Sequence, residues 1–367
     1  MQSDKQPTLN AMELYAGDRI VSPEERILVT GAAGFLGSRV VQCLTQYGYR
    51  NICCLVRPTS KTERLEAISR SLPAGSRLEI VEGNLLSRDD CIRVSGNASI
   101  VYHLAAGRGE KSYADAFMNS VVTTRNLLEA IHETGVVRRF INVSSFAVYS
   151  NRAKPRRQLL DETCPLEAKP SLRGDAYSFA KVKQDEIVID YGSRLQIPYV
   201  IVRPGVVYGP GNETISPRVG IGTFGVFMHL GGSNPVPLTY VENCAEAIVL
   251  AGLKVGVDGE VFNVTDDDLP SSRRYLAMYK EKVNRFFSLS VPRPISYLLC
   301  FLWEKYSAWS EGQLPPTYGL RTWHAYWKKT RYSNQKLKSK LGWEPRVATL
   351  RGLAIFFESC RRRSQRA

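Results

Sequence analysis

Short runs of apolar residues alternate along the chain with stretches in which apolar positions recur every three or four residues. The runs have the length of buried strands, and the stretches have the spacing of amphipathic helices. The predicted strands are Ile27–Val29, Asn51–Val56, Leu78–Val81, Ile100–Ala106, Arg139–Ser145, Tyr199–Pro204, Pro237–Val241 and Val261–Val264. Strands that alternate with helices in this way are typical of a parallel sheet covered on both faces.

Helical spacing separates most of these strands. The predicted helices are Ser38–Leu44, Phe117–Glu133, Tyr177–Leu195, Glu242–Leu253 and Asn334–Leu341. Residues 150–174 are rich in charge and proline and predict a long irregular loop, whereas residues 270–332 predict a mostly helical segment. Residues 1–24 are polar and predict a flexible lead-in.

Three glycines spaced three apart follow the first predicted strand, at Gly31, Gly34 and Gly37. Gly31 permits a tight turn, Gly34 lets the backbone approach a pyrophosphate, and Gly37 lets the following helix pack against its strand. The N-terminus of that helix favours an anion through its free N–H groups and its dipole. This strand, turn and helix predict a dinucleotide-binding site.

We therefore predict an α/β fold, a Rossmann-type doubly wound parallel sheet with a smaller, mostly helical C-terminal substrate lobe. The dinucleotide-binding domain is predicted at residues 25–204, with returning segments near 237–264. The substrate-binding lobe is predicted at 205–236 and 265–358, followed by a basic tail at 359–367.

The net charge of +14 is concentrated near the C-terminus. Residues 321–367 contain 13 Lys and Arg residues but only two acidic ones, Glu344 and Glu358. Such a segment suits anionic lipid, nucleic acid or a phosphorylated substrate, although a solvated basic face is the simpler interpretation of Arg361–Arg366. No nucleic-acid-binding motif accompanies it, so we expect no nucleic-acid partner.

The eight cysteines form no C-x-x-C pair and no His/Cys cluster with the spacing of a metal site. We therefore expect reduced thiols, no bound metal and a cytoplasmic location. The polar first residues and the short apolar runs lead us to expect neither a signal peptide nor a membrane-spanning segment.

The second predicted strand ends at Val56 and Arg57, without the carboxylate that an NAD-selective site uses to hold the ribose 2′-hydroxyl. Arg57 instead places a cation where a 2′-phosphate needs one, with Lys61 or Arg64 in support. We therefore predict NADP as the cofactor, with NAD as the alternative. A solvated loop charge is the other interpretation of Arg57.

Tyr177 and Lys181 are four residues apart on a predicted helix, so their side chains emerge on one face. A nearby ammonium favours the phenolate of a tyrosine, whose ordinary pKa of about 10 makes it a poor base at neutral pH. Tyr177 would then exchange a proton with a substrate oxygen that Ser145 also hydrogen-bonds, and Lys181 would also bond the nicotinamide ribose. His103 lies inside an apolar strand and is interpreted as a buried imidazole rather than a catalyst.

These motifs together resemble those of the extended short-chain dehydrogenases/reductases, the group that includes NAD-dependent epimerase/dehydratases and 3β-hydroxysteroid dehydrogenase-like enzymes. The resemblance covers about Arg26 to Phe356 and rests on Thr30–Gly37, His103–Ala106, Val143–Tyr149, Tyr177 with Lys181, Arg203–Pro210, Tyr240–Asn243 and Leu341–Pro345. It implies a Ser/Tyr/Lys site in which Ser145 is the serine, four residues before Tyr149. It also implies a homodimer that pairs the helices Phe117–Glu133 and Asp175–Leu195.

The resemblance further implies cofactor contacts at several strand ends. Leu104–Ala106 and Pro204–Val207 would contact the nicotinamide half, Asn119 matches the cofactor-side Asn, and Asn84 stands where the family has an adenine-contacting Asp. The predicted cofactor-binding residues are Gly31, Ala33, Gly34, Phe35, Leu36, Gly37, Arg57, Asn84, Leu85, Leu104, Ala105, Ala106, Asn119, Val143, Tyr177, Lys181, Pro204 and Val207.

Our leading hypothesis is an NADP-dependent oxidoreductase or epimerase that transfers hydride at a secondary alcohol or ketone, most naturally of a nucleotide sugar. The candidate cations for its diphosphate are Arg203, Arg218, Arg321 and Arg331. Phe146 and Ala147 stand where sugar 4,6-dehydratases carry an acidic pair, so we expect no dehydration. A non-catalytic cofactor-binding scaffold or redox sensor is the alternative of another class, although such a protein has no need of the Ser/Tyr/Lys set.

A sterol- or lipid-linked-alcohol dehydrogenase at a membrane surface is the other alternative. This alternative is suggested by the segment 290–309, in which Tyr297–Trp303 is apolar and Trp309 follows before the basic C-terminal segment. A helix with aromatic anchors and nearby cations is able to lie in a membrane interface. We favour a core helix of the substrate lobe as the interpretation of this segment.

Overall fold

The computed structural model describes residues 19–107, 112–152, 159–223, 225–311 and 313–365. The strands within these ranges are β1 (Ile27–Thr30), β2 (Asn51–Val56), β3 (Arg77–Glu82), β4 (Ile100–His103), β5 (Arg139–Val143), β6 (Leu159–Leu160), β7 (Tyr199–Pro204), β8 (Val206–Tyr208), β9 (Gly220–Thr223), β10 (Val226–His229), β11 (Leu238–Tyr240), β12 (Val261–Val264), β13 (Ser288–Ser290) and β14 (Arg331–Tyr332). Seven of them form one parallel sheet in the order β3-β2-β1-β4-β5-β7-β12. The strand order reverses between β1 and β4, which creates the crevice where doubly wound sheets bind ligands.

Helices cover both faces of this sheet. The helices of the described residues are α1 (Gly37–Gln46), α2 (Glu63–Arg70), α3 (Arg88–Ser95), α4 (Tyr113–Phe117), α5 (Thr123–Thr134), α6 (Ala176–Arg194), α7 (Val241–Leu253), α8 (Ser272–Lys282), α9 (Arg293–Trp309), α10 (Leu320–Tyr326), α11 (Gln335–Leu341) and α12 (Thr349–Ser364). A π-helical turn, Met118–Val122, joins α4 to α5. Apolar residues of α1, α7 and α11 pack on one face of the sheet, and those of α3, α5 and α6 pack on the other.

The central strand β1 shows why the sequence forms this layer. Its side chains alternate between the two faces, so Ile27 and Val29 enter one core while Leu28 enters the other. All three are fully buried. A strand covered on both sides is apolar at every position, and this explains why the sequence shows a continuous apolar run here.

A smaller part of the molecule packs over the carboxyl ends of the sheet. It contains the three-stranded sheet β13-β10-β9, the two-stranded pair β11-β8 and the helices α8 to α10 and α12. A separate aromatic cluster forms its core: Tyr208, Tyr240, Tyr275, Phe356 and Phe357. The chain thus builds a second wall opposite the strand ends.

The predicted sheet is confirmed, except that the predicted strand Pro237–Val241 lies outside it, where β11 pairs with β8 in a separate sheet. Two predicted strands end earlier than expected, at His103 and at Val143, so the small residues after each belong to loops. The strands β6, β8, β9, β10, β13 and β14 were not predicted, and each has four residues or fewer.

Both ends of the chain also differ from the prediction. Residues 1–18 of the predicted lead-in lie outside the described residues, but Val21 is buried in the main core. Within the predicted basic tail at 359–367, α12 continues to Ser364 and its Arg363 pairs with Glu213. The basic residues there therefore belong to a helix.

The interpretation of 290–309 as a core helix is also wrong. Within α9 only Ser296, Cys300 and Ser307 are buried. The apolar side chains that suggested a core position are exposed to solvent instead. None of the described helices combines the length and the apolar character that crossing a membrane requires.

Candidate functional site

A cleft of about 780 Å³ lies at the carboxyl ends of the central strands. Its walls contain the residues that directly follow β1, β2, β3, β4, β5 and β7. The smaller part of the molecule closes the opposite side with Arg218, Tyr275 and Tyr326. A cleft at the switch point of a parallel sheet is the usual ligand site of this fold class.

The glycine turn between β1 and α1 forms one end of the cleft. Gly31 has a positive φ of 67°, and a Cβ there would lie 2.8 Å from the amide nitrogen of Ala105. A Cβ on Gly37 would lie 2.1 Å from the carbonyl oxygen of Gly31, so only glycine lets α1 approach the strand so closely. Gly34 lines the cleft between them, where its missing side chain leaves the backbone accessible.

This cradle fits the diphosphate of a nicotinamide coenzyme. Backbone segments Gly34–Gly37 line the cleft at the start of α1, whose N-terminal amides and dipole attract anions. A side chain at any of the three glycines would fill space that the turn or the ligand occupies. The turn therefore has the open backbone that the glycine pattern in the sequence predicts for binding a pyrophosphate.

The end of β2 presents cations and hydroxyls to the cleft. Arg57, Ser60 and Lys61 line it, and the Arg57 guanidinium lies 3.5 Å from the side-chain oxygen of Asn119. The amide of Arg57 donates a 3.1 Å hydrogen bond to Ser60 Oγ, which fixes the loop. No Asp or Glu lines the cleft among the residues that the structure describes.

The three predicted catalytic residues lie in the same cleft, on two elements. Asp175 caps α6 by accepting a 3.1 Å hydrogen bond from the amide of Tyr177, which places the tyrosine in the first turn. Ser145 follows β5 and accepts a 3.1 Å bond from the amide of Ala147. Lys181 lies one turn of α6 beyond Tyr177, on the same side of the helix.

Lys181 is buried, and its ammonium donates two hydrogen bonds. Its Nζ donates to the carbonyl oxygen of Val143 at 2.7 Å and to Gln184 Oε1 at 2.8 Å. Burial lowers the pKa of Lys181 to about 8, although the nearby carboxylate of Asp185 raises it. The buried ammonium therefore loses its proton more easily than that of an exposed lysine.

A buried chain of polar side chains connects Lys181 to the strand that precedes the glycine turn. Gln184 Nε2 donates to Thr124 Oγ1 at 2.8 Å, and Thr124 Oγ1 lies 2.9 Å from His103 Nε2. Since Thr124 donates its own proton to the Ser120 carbonyl, His103 carries its proton on Nε2.

His103 Nδ1 then accepts from the Thr30 hydroxyl at 2.8 Å. Burial lowers the pKa of His103 to about 3, with a smaller contribution from the charge of Lys181, so the ring is neutral. The prediction that His103 is a satisfied buried imidazole is confirmed. Because Gln184 Nε2 donates to Thr124 in this chain, the side-chain oxygen of Gln184 faces Lys181.

The four candidate phosphate-binding arginines have different surroundings. The prediction that Arg203 is a ligand cation is wrong, because its side chain is buried beneath the cleft. It pairs with Asp185 at 3.0 Å and hydrogen-bonds the Tyr149 hydroxyl. Arg321 pairs with the buried Glu167 and, like the more exposed Arg331, does not line the cleft. Arg218 alone of the four lines it.

The cleft brings together the three predicted catalytic residues and all of the predicted cofactor-binding residues named above, but not Arg64, which donates to Ser38 Oγ instead. Their roles stay predictions. Sequence reasoning missed Tyr275 and Tyr326, which reach the cleft from α8 and α10, and it missed Gln184. Only the position of Gln184, three residues after a predicted catalytic lysine on one helix face, carried a usable signal.

Comparison with known proteins adds the family context. A model of the NAD dependent epimerase/dehydratase family matches residues 27–265. The chain is 30% identical over 256 residues to a trifunctional UDP-glucose 4,6-dehydratase/UDP-4-keto-6-deoxy-D-glucose 3,5-epimerase/UDP-4-keto-L-rhamnose-reductase of Arabidopsis thaliana, covering 65% of this chain and 37% of that protein. It is 25% identical over 251 residues to 3beta-hydroxysteroid-dehydrogenase/decarboxylase isoform 2 of the same plant, covering 65% of this chain and 43% of that protein. The chain thus spans less than half the length of these two curated relatives.

Solved structures share the fold over nearly the whole chain. UDP-glucuronic acid 4-epimerase from Bacillus cereus in complex with NAD superposes with a TM-score of 0.67 at 21% identity, covering 92% of this chain and 99% of that one. UDP-glucose 4-epimerase from Thermotoga maritima gives a TM-score of 0.65 at 21% identity, covering 93% and 100%. At these identities the likeness shows a shared Rossmann-type architecture.

Proposed function

We propose that this chain, which belongs to the NAD dependent epimerase/dehydratase family, is an NADP-dependent oxidoreductase or epimerase acting at a secondary alcohol or ketone. The observation that carries the proposal is the charge of the cleft. Among the described residues its charged lining side chains are all basic: Arg57, Lys61, Lys181 and Arg218. A cleft of this kind suits a phosphorylated coenzyme together with an anionic substrate.

The preference for NADP rests on the end of β2. Arg57 and Lys61 line the cleft after β2, where a 2′-phosphate would bind, and none of the described cleft residues is a carboxylate that could hold a free 2′-hydroxyl. The test is the ratio of dissociation constants for NADH and NADPH, measured for the native protein and for Arg57→Ala. We expect NADPH to bind more tightly and Arg57→Ala to reduce that preference about tenfold or more.

A control variant separates the local charge from the overall charge. Arg77→Ala removes one cation whose side chain is 68% exposed and outside the cleft, so it is expected to leave the ratio unchanged. Tighter binding of NADH by the native protein would contradict the NADP assignment. So would an Arg57→Ala variant that keeps the full preference.

The residues of the site have distinct roles in the proposed chemistry. When bound, a nicotinamide coenzyme supplies the acceptor or donor of hydride. Tyr177 exchanges a proton with the oxygen of the reacting carbon, and the Ser145 hydroxyl hydrogen-bonds the same oxygen and stabilises its charge. In its charged form, Lys181 favours the phenolate form of Tyr177.

Dehydration is absent from the proposed reaction. Elimination of water from a sugar needs an acid and a base beside the reacting carbons. Phe146 and Ala147 occupy the positions after Ser145, and both are buried. No carboxylate lines the described part of the cleft, so the described residues supply no such pair, although the plant relative is named as a dehydratase.

A nucleotide sugar is the proposed substrate. Arg218 lines the substrate side, and its guanidinium lies 4.9 Å from the centre of the Tyr326 ring. Arg173 lies 4.9 Å from the same ring, so Tyr326 contacts two guanidinium groups. We expect a nucleoside diphosphate to bind saturably. Salt at about 2 M or the variant Arg218→Met is expected to abolish this binding, because each weakens the ionic contacts of the diphosphate.

A sterol- or lipid-linked alcohol is the second candidate substrate. It is favoured by the similarity to a plant 3beta-hydroxysteroid-dehydrogenase/decarboxylase and by the aromatic wall that Tyr275 and Tyr326 contribute. The two candidates differ in charge, so competition experiments distinguish them. A nucleoside diphosphate that fails to displace substrate, together with NADP-dependent oxidation of a sterol, would favour the second.

We propose a homodimer in a reducing, cytoplasmic compartment. The helices that would pair are α6 and the continuous α4 to α5 segment, which presents Tyr113, Phe117 and Met118 to solvent at its start. All eight cysteines are buried thiols, which suits such a compartment. Sedimentation equilibrium tests the dimer, and a monomer at all concentrations would contradict it.

A further inference from the structure

Exposed apolar side chains are concentrated in one segment of the molecule. Ten large hydrophobic side chains in the described residues are at least half exposed, and eight of them lie between Phe287 and Trp309. These two are also the most exposed of all, at 69% and 76%. Singly scattered apolar residues are normal on a protein surface, but a concentration of this kind marks a contact with something apolar.

The helix α9 carries most of this surface. Its large apolar side chains face solvent, and its small side chains face the protein. Its buried face consists of small side chains, Ser296, Cys300 and Ser307. The Trp323 indole donates to Ser296 Oγ, and Ser307 Oγ donates to the Leu314 carbonyl, so hydrogen bonds hold the helix to the protein. A surface helix of a soluble protein ordinarily shows the opposite arrangement.

A second stripe of α9 faces solvent along its whole length. We name it the outer stripe, and its residues are Ile295, Leu298, Leu299, Leu302, Tyr306 and Trp309. They recur every three or four residues and so lie along one side of the helix over about 21 Å. Tyr306 and Trp309 are stacked at its end, with ring centres 5.7 Å apart.

Basic residues outnumber acidic ones in and next to α9. Residues 280–309 contain five Lys and Arg residues against two Glu. Lys305 lies beside the stripe with its Nζ 5.6 Å from the Phe301 ring, and Lys280 lies 5.4 Å from the Phe286 ring. One of the two acids, Glu304, is engaged with the Leu320 amide. An apolar stripe with terminal aromatics and flanking cations matches an anionic membrane interface.

We propose that Phe287, Leu289 and the outer stripe of α9 bind the surface of an anionic lipid bilayer. The helix lies in the plane of the interface, with its apolar side chains among the acyl chains and its cations at the headgroups. A second copy of the chain is a poorer occupant, because a two-fold contact would place this basic surface against itself. The proposal is independent of the cofactor and of the substrate.

The test is cosedimentation of the full chain with vesicles, one set of phosphatidylcholine containing phosphatidylserine and one of phosphatidylcholine alone. We expect binding to the anionic vesicles that weakens with salt, and weaker binding to the neutral ones. The variant Leu298→Glu/Leu302→Glu is expected to reduce the partition coefficient about tenfold or more, since it replaces inserted apolar side chains by charges. Both leucines are exposed, so the fold tolerates the change.

The matched control is Leu172→Glu/Leu350→Glu. These leucines are 52% and 56% exposed and lie outside the proposed surface, so the control adds the same charge and is expected to bind vesicles like the native protein. Three results would overturn the proposal: no association with either vesicle, equal loss in both variants, or a dimer without lipid that only the α9 variant dissociates.

Discussion

The glycine turn allows a sharp experiment, because two of its glycines exclude a side chain for different reasons. A Cβ on Gly37 would lie 2.1 Å from the Gly31 carbonyl oxygen, far inside any normal contact, and both groups are backbone. A Cβ on Gly34 would lie 3.1 Å from the same oxygen, which a shift of a few tenths of an ångström relieves. Gly37→Ala is therefore expected to disturb the fold, and Gly34→Ala to disturb ligand binding.

The magnitude follows from two opposing terms. Forcing a methyl group into a packed site costs about 3 kcal/mol or more when the neighbour is backbone. Alanine gains up to about 1 kcal/mol over glycine within a helix, which offsets part of that cost. We expect Gly37→Ala to lower the free energy of unfolding by about 2 kcal/mol or more, equivalent to a fall in Tm of roughly 2–3 °C for a chain of this size.

Gly34→Ala is expected to change stability by less than about 1 kcal/mol while its methyl group enters the space of the pyrophosphate. The assay combines urea unfolding with calorimetric titration of NADPH for both variants. Gly222→Ala is the control, since a Cβ there has nothing within 4 Å and its backbone is unstrained. The reasoning is refuted if Gly37→Ala is as stable as the control, or if Gly34→Ala binds NADPH like the native protein.

Three further predictions concern the side chains beneath and beside the cleft. Tyr177→Phe is expected to abolish turnover while calorimetry shows nearly unchanged cofactor affinity; retained turnover would remove Tyr177 from its role. Asp185→Ala leaves Arg203 buried without its ion pair and is expected to cost roughly 3–5 kcal/mol in urea unfolding, so a cost below about 1 kcal/mol would contradict the buried-pair assignment. The pKa of Lys181 is lowered from 10.5 to about 8 in the folded protein. Between these two pH values the lysine is protonated in the unfolded chain but not in the folded one, so its contribution to the free energy of unfolding rises with pH across that window. Lys181→Met is expected to remove that rise, and unfolding curves that stay parallel for both proteins at every pH would show that the lysine is not perturbed.

The sequence predicted the central sheet because its strands carry local signals. Asn51–Val56 and Tyr199–Pro204 contain the apolar runs Ile52–Val56 and Val200–Val202, and their predicted bounds are those that the structure shows. The cleft residues were predictable for a related reason, since parallel strands place their carboxyl ends along one edge. The glycine spacing and the Tyr177 and Lys181 pair needed no long-range information.

The rest depended on contacts between distant parts of the chain. Arg203 looked like a ligand cation, but the sequence does not show that Asp185 reaches it from α6. The segment 290–309 looked like a core helix, because apolar content gives no information about which face the protein covers. The domain bounds and the roles of the cleft residues stay predictions for the same reason.

Calorimetric titration of the native chain with NADPH and with NADH tests the central claim most directly, that the cleft at the strand ends holds a nicotinamide coenzyme. The account predicts saturable binding of one coenzyme per chain, tighter for NADPH, with Gly34→Ala weakening both. Absence of binding for both coenzymes, from a protein whose cooperative unfolding shows that it is folded, would contradict it.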